Sequence, residues 1–141
     1  MDKRVVANEL LLEEAASLMN EGREVNFTPL GGSMLPFING GKDSVRLQKK
    51  ADVAVGDIVL VRLPGPRYVL HRVIRVDGDA LTLMGDGNIA GTESCTKGDV
   101  LGTVVAIVKE KRTVIPGKAR LWRALKPIRR YLLAIYRRIA L

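Results

Sequence analysis

The spacing of apolar residues changes its period near residue 22, and this change separates a helical beginning from a strand-rich remainder. Between residues 4 and 21, the apolar residues at helical spacing are Val6, Leu10, Ala15, Leu18 and Met19. Gly22 follows them and is a typical residue after the end of a helix. From Arg23 onward, apolar and polar residues alternate as they do in half-buried strands. The pattern therefore predicts a helix over 4–21 followed by a β domain.

Short strands separated by glycine and proline turns are expected through the middle of the chain. The predicted strands cover residues 23–28, 44–47, 58–61, 67–76, 80–83 and 100–108. Ile58-Val59-Leu60-Val61 is apolar at every position, which is typical of a strand buried on both faces. Residues 85–98 are expected to form an irregular loop. Many short strands bracketed by helices indicate a mainly β fold.

A second helical pattern occupies residues 118–141. Apolar residues spaced 4, 3, 4, 3 and 4 positions apart are Leu121, Leu125, Ile128, Leu132, Ile135 and Ile139. Pro127 is expected to divide this segment and to begin a second helical piece over 127–140. The predicted organisation is thus an N-terminal helix (1–22), a β domain (23–117) and a basic amphipathic helical tail (118–141).

Charge changes the interpretation of the tail more than that of the domain. The net charge is +8, and residues 118–141 carry 8 basic residues and no acid, whereas residues 1–117 are balanced. A basic amphipathic helix is typical of peripheral binding to an anionic membrane. Packing on its own domain or against another chain remains the alternative. Nucleic-acid binding is not favoured, because no recognition module accompanies the arginines.

Composition argues against disulfide-bonded, metal-binding, secreted and membrane-spanning classes of protein. The single Cys95 cannot form an internal disulfide, and no Cys or His pair has ligand spacing, so neither a metal nor another cofactor is expected. The first 24 residues contain five glutamates, which argues against a signal peptide. No apolar run approaches the roughly 18 residues of a spanning helix. The expected location is cytoplasmic, with peripheral attachment at the inner membrane face as a further possibility.

Ser33 and His71 are the two residues with candidate chemistry. Ser33 follows Gly31 and Gly32, which permit a tight turn and close approach of a substrate chain. His71 is the only histidine and lies in a predicted strand. A serine hydroxyl needs a base within hydrogen-bond reach, and an imidazole is suited to that role near neutral pH. Alone, the first residue would be read as a surface turn and the second as a core histidine.

Four ordered blocks resemble type I signal peptidases and their LexA-like relatives. The blocks are Gly32-Ser33-Met34-Leu35-Pro36, Val55-Gly56-Asp57-Ile58-Val59, His71-Arg72-Val73-Ile74 and Gly85-Asp86-Gly87-Asn88. The resemblance implies that Ser33 is the nucleophile and that His71 is the general base, as in the Ser/His branch found in archaea and the endoplasmic reticulum. It also implies an acid beside the histidine. Asp86 is ranked first for that position and Glu93 second.

The resemblance further implies a LexA/signal-peptidase-like β domain and an oxyanion hole formed by the backbone N–H of Ser33. Gly31 stands where some relatives carry an additional serine hydroxyl. The N-terminal membrane anchor typical of signal peptidases is replaced by a predicted soluble helix, so the expected substrate is a leader peptide or prepeptide rather than general secretory cargo.

Two other functions remain open. One is a non-catalytic module that grips a peptide or a partner on the same fold. The other is a LexA-like self-cleaving regulator, against which the chain lacks a second DNA-binding helix and an Ala-Gly pair in its N-terminal half.

Overall fold

The computed structural model of the protein describes residues 3–65 and 67–140, with side chains from Leu12 onward. The helices are α1 (Lys3–Asn20), α2 (Arg120–Ala124) and α3 (Arg129–Ala140). The strands are β1 (Val25–Phe27), β2 (Ser44–Gln48), β3 (Ile58–Leu63), β4 (Arg67–Asp77), β5 (Ala80–Met84), β6 (Glu93–Thr96), β7 (Val100–Val108) and β8 (Thr113–Val114). Single 3₁₀ turns occur at Lys97–Asp99 and Lys126–Ile128.

The strands form one curled antiparallel sheet with helices at both ends of the chain, which confirms the mainly β class. Their order is β1-β2-β7-β3-β4-β5-β6, and β8 pairs with the C-terminal end of β7. The long strands β4 and β7 flank β3, so the centre of the sheet is built from non-adjacent parts of the sequence. The predicted division at residues 22 and 117 stays a prediction, and residues 1, 2 and 141 lie outside the described part.

The central strand β3 is buried on both faces, as its uninterrupted apolar run predicts. Ile58 and Leu60 pack into a cluster that includes α1, whereas Val59 and Val61 pack into a second cluster on the other face. Successive side chains of a strand point to opposite faces, so a strand between two apolar clusters needs apolar residues at every position. The sheet therefore separates two cores.

Helix α1 closes the first core over β7. Leu12, Ala15 and Met19 are buried, whereas Leu18 is partly exposed. A Cβ on Gly102 of β7 would lie 2.4 Å from the Met19 sulfur, so only glycine leaves room for that side chain. The predicted contributions of Val6 and Leu10 lie outside the described side chains.

Strand β6 corrects the expected irregular loop over 85–98. Glu93–Thr96 pairs with β5, where Glu93 lies opposite Leu83, and Leu83 in turn lies opposite Val73 of β4. The sequence Glu-Ser-Cys-Thr contains one weakly apolar residue, so an edge strand here gives almost no apolar pattern. Backbone pairing with β5 forms it instead, and this pairing places Glu93 two strands away from β4.

The tail divides at Pro127 as predicted, with α2 before the proline and α3 after it. Its packing differs from the predicted face. Leu133 and Arg129 are the buried residues of α3, whereas Ile128, Ile135 and Ile139 of the predicted stripe are exposed. Among the described residues, no helix combines the length and the apolar character needed to cross a bilayer.

Candidate active site

Ser33 lies in the connection between β1 and β2, at the beginning of a compact turn. Gly31 adopts a φ of +82°, a conformation that side-chain-bearing residues rarely adopt. The turn continues with a hydrogen bond from Leu35 N–H to Gly32 O at 3.2 Å. A Cβ on Gly40 would lie 2.1 Å from Gly31 O, so the two limbs of this connection touch backbone to backbone. Ser33 itself is only half-buried, as a reactive hydroxyl requires.

The loop Gly85–Asn88 packs directly against this turn. Gly87 N–H donates a 2.8 Å hydrogen bond to Ser33 O. The point where a Cβ on Gly85 would stand is 2.4 Å from Ser33 O and 3.1 Å from His71 Nε2. Glycine at position 85 is therefore what allows the serine turn, the loop and the imidazole to meet.

His71 is held on its other ring nitrogen by Glu93. The carboxylate Oε1 contacts His71 Nδ1, and both side chains are largely buried. A carboxylate can only accept from an imidazole, so the proton of neutral His71 is fixed on Nδ1. The lone pair is then on Nε2, the nitrogen that faces Gly85 and the serine turn. This is the tautomer that a general base needs.

Ser33 and His71 are neighbours that are not hydrogen-bonded to each other in the described contacts. The described hydrogen bonds also leave the Ser33 N–H unengaged, whereas Ser33 O is occupied by Gly87. An unengaged N–H next to the hydroxyl is the donor that an oxyanion requires. Hydrogen bonds between a nucleophile and its base commonly tighten only when substrate is bound.

Asp86 does not orient the histidine, and this corrects its ranking above Glu93. Its carboxylate binds the Arg72 guanidinium at 2.7 Å through Nη2 and at 2.8 Å through Nε, and both side chains are almost fully buried. Successive side chains on β4 leave the strand in opposite directions. His71 and Arg72 therefore meet different carboxylates, and Asp86 is the partner of the arginine.

Arg72 acts as a clamp between distant parts of the chain. Its Nη1 donates to Gly56 O and to Gly117 O, both at 2.8 Å. Its guanidinium also lies 5.3 Å from the centre of the Phe37 ring, in the connection that carries Ser33. The residue after the histidine thus fixes the serine connection, the 85–88 loop and the start of the tail at once.

The tail adds two further supports to the same loop. Trp122 Nε1–H donates to Asp86 O at 2.8 Å. Arg129 Nη1 donates to Asn88 O at 3.1 Å, and its guanidinium lies 5.2 Å from the centre of the Trp122 ring. Burial lowers the pKa of the Arg129 guanidinium, with the nearby Arg72 acting in the same direction and Asp86 against it. Sequence reasoning missed these supports, although an arginine within an apolar strand was a signal for Arg72.

A cleft of about 450 Å³ opens beside Ser33 and His71. Its apolar lining consists of Leu12, Phe27, Pro29, Leu30, Met34, Ile38, Leu60, Val69 and Leu70. Such a surface suits the side chains of a peptide, and Ser33 and His71 are among the polar residues that line it. Within the part of the chain that the structure describes, no three His, Cys, Asp or Glu side chains converge as metal ligands would.

Comparison with known proteins adds no family assignment. No family model matches the chain, and a search of curated proteins finds no significant relative. The function of the site therefore has to be argued from its own geometry.

Proposed function

We propose that the protein is a serine endopeptidase of the signal-peptidase type, with Ser33 as nucleophile, His71 as general base and Glu93 as the residue that orients the base. The observation that carries this proposal is the Glu93–His71 contact beside the serine turn. A histidine held through Nδ1, with the lone pair of Nε2 towards the serine turn, is the arrangement that general-base catalysis requires.

In each half of the proposed reaction, His71 acts first as base and then as acid. Ser33 Oγ attacks the scissile carbonyl while His71 Nε2 takes its proton, and the Glu93 carboxylate stabilises the resulting imidazolium. The Ser33 N–H donates to the oxyanion of the tetrahedral intermediate. The imidazolium then protonates the leaving amine, and an acyl-enzyme remains. Water attacks this ester with His71 again as base, which releases the acid product and restores the serine.

The sheet supports an extended peptide as substrate. Residues Val69–His71 of β4 pair with β3 on one side, whereas the β4–β5 ladder begins only at Arg72. Among the described strands none pairs with the second edge of Val69–His71, and these residues line the cleft. A substrate strand added along this edge would bring its carbonyl to His71.

The signal-peptidase and LexA-like fold is part of this proposal, supported by the four sequence blocks and by the curled sheet around them. A leader peptide or prepeptide is the proposed substrate class. The preference for small residues before the cut is carried over from the resemblance.

A non-catalytic peptide-binding module is the second candidate. The missing hydrogen bond between Ser33 and His71 in the described contacts favours it. The cleft and the open edge of β4 would serve such a module equally well.

Cleavage of a peptide library by wild type, Ser33→Ala and His71→Ala tests the proposal. Each variant is expected to lose about 1,000-fold or more in kcat/KM, because each removes one member of the catalytic unit. Ser94→Ala, an exposed serine on β6, is the matched control and should retain full activity. Full activity in Ser33→Ala or His71→Ala would exclude the mechanism.

Labelling separates the two candidates. A fluorophosphonate should add its mass to Ser33 of the wild type and not to His71→Ala. Peptide binding by wild type without cleavage or labelling would support the binding module instead.

A further inference from the structure

Helix α3 is fastened to the domain by one side only. Leu133 is 1% exposed and Arg129 is 3% exposed, so these two residues form the inner side. Arg129 contacts the Met84 sulfur at the end of β5 and Asn88 O in the 85–88 loop that follows it. The orientation of the helix on the domain is therefore fixed, and its other sides face outward.

The outward side carries an apolar stripe with no described cover. We define the outer stripe as Ile128, Tyr131, Ile135 and Ile139, whose exposed fractions are 46%, 64%, 55% and 80%. The spacing of 4 positions places Tyr131, Ile135 and Ile139 on one face of α3, and Ile128 precedes them in the 3₁₀ turn that leads into the helix. Four large apolar side chains exposed in one row are unusual on a soluble surface and indicate an interaction site.

Exposed cations accompany this stripe on α3 and in the turn before it. Arg130, Arg137 and Arg138 are exposed on α3, and Lys126 precedes it. None of the described ion pairs uses these four residues, and residues 118–141 contain no acid. Lys126 and Arg130 also line a shallow depression of about 300 Å³ together with Ile89 and Pro127. Two cations beside apolar side chains match a phosphate headgroup above its acyl chains.

A second copy of the chain fits this surface poorly. Pairing of two outer stripes would bring two wholly basic segments together, and like charges across an interface are costly. An anionic bilayer supplies the opposite charge and an apolar layer in one partner.

We propose that the outer stripe, together with Lys126, Arg130, Arg137 and Arg138, docks the protein on anionic phospholipid bilayers, with α3 lying along the surface. The four apolar side chains enter the boundary between headgroups and acyl chains, and the cations contact lipid phosphates. This docking does not depend on the chemistry of Ser33, so the two proposals can fail separately.

Co-sedimentation of the full chain with vesicles tests this docking. Wild type is expected to bind phosphatidylcholine vesicles containing roughly 30% phosphatidylglycerol and to bind pure phosphatidylcholine much more weakly. Ile135→Ser/Ile139→Ser should lower the partition coefficient by about tenfold or more, because the bilayer loses two apolar side chains that would otherwise be buried in it. Arg137→Gln/Arg138→Gln should lower it several-fold, and added salt should have the same effect.

The matched control is Ile115→Ser, which removes an isoleucine that is 75% exposed but precedes the tail. It should bind vesicles as wild type does. Because the substituted positions are exposed, unchanged thermal unfolding midpoints are expected for all variants.

Three results would overturn the proposal: equal binding to neutral and anionic vesicles, wild-type binding by Ile135→Ser/Ile139→Ser, or no binding at all. In the last case, a dimer in sedimentation equilibrium that Ile135→Ser/Ile139→Ser dissociates would assign the surface to a second copy.

Discussion

Two neighbouring residues of β4 each bind a buried or half-buried carboxylate, and they use it in opposite ways. Arg72 engages Asp86 and two backbone carbonyls, so its donors are almost all occupied. His71 engages Glu93 through Nδ1 and keeps Nε2 available beside the cleft. We call Arg72–Asp86 the closed pair, because nearly all of its polar atoms have partners. We call His71–Glu93 the open pair, because Nε2 of the histidine is available.

The difference separates a pair that is fully engaged in structure from one that keeps an atom available for the proposed chemistry. A saturated pair holds chain segments together and has no atom left for chemistry. A pair whose histidine keeps an unprotonated nitrogen beside a serine hydroxyl can accept a proton. Both pairs join a β4 side chain to a carboxylate, so the property that separates them is the unoccupied ring nitrogen.

The largest expected effect comes from opening the closed pair. Asp86→Asn should lower the free energy of unfolding by about 3–5 kcal/mol, because it leaves the Arg72 cation buried without its counter-charge. Urea unfolding measures this loss, and Asp79→Asn, in an exposed turn, serves as the control. A loss no larger than that of the control would mean that the Arg72–Asp86 pair does not hold the loop.

The open pair should show the reverse pattern. Glu93→Gln should lower kcat/KM by about 100-fold, equal to about 2.7 kcal/mol, because an amide cannot stabilise the imidazolium and permits the wrong tautomer. The free energy of unfolding should change by less than about 1 kcal/mol, because the glutamine keeps an acceptor for the Nδ1–H of neutral His71 and leaves no buried charge unpaired. Glu110→Gln, exposed at the end of β7, is the matched control. Equal losses of stability and activity in Glu93→Gln would make the pair structural.

A second ionisable group on β6, the Cys95 thiol, tests the effect of burial without an ion-pair partner. Cys95 lies two residues after Glu93, and burial raises the pKa of its thiol to about 11, with Asp99 adding to the shift. Thiolate is the reactive form, so alkylation by iodoacetamide at pH 8 should be about 10- to 100-fold slower than for an unfolded chain. The rate should keep rising through pH 10. A rate equal to that of the urea-unfolded protein would show that Cys95 is not shielded.

The local sequence pattern was sufficient to predict those elements whose residues within one segment determine their structure. Strand β7 was predicted over 100–108 and lies at Val100–Val108, and the fully apolar Ile58–Val61 run is buried on both faces. Pro127 divides the tail because its ring cannot continue a helix. Each of these features depends on residues within one segment.

The composition of the site could not be derived in the same way. Ser33 and His71 carry recognisable sequence blocks, but the choice between Asp86 and Glu93 depends on the register of β4, β5 and β6. That register is fixed by backbone pairing of an edge strand with almost no apolar pattern. The inner side of α3 was missed for a similar reason, because Arg129 is buried through contacts with a loop that is distant in the sequence.

The contacts that hold the 85–88 loop also determine when, during synthesis of the chain, the loop can become ordered. A ribosome makes Ser33, His71 and Glu93 before it makes Gly117, Trp122 and Arg129, whose contacts fasten Arg72 and the loop. The loop that braces the serine turn therefore acquires its final contacts only after Arg129 has left the exit tunnel. Synthesis of Ser33, His71 and Glu93 and assembly of the candidate site are separated in time, and a nascent chain lacks the finished site until its tail folds back.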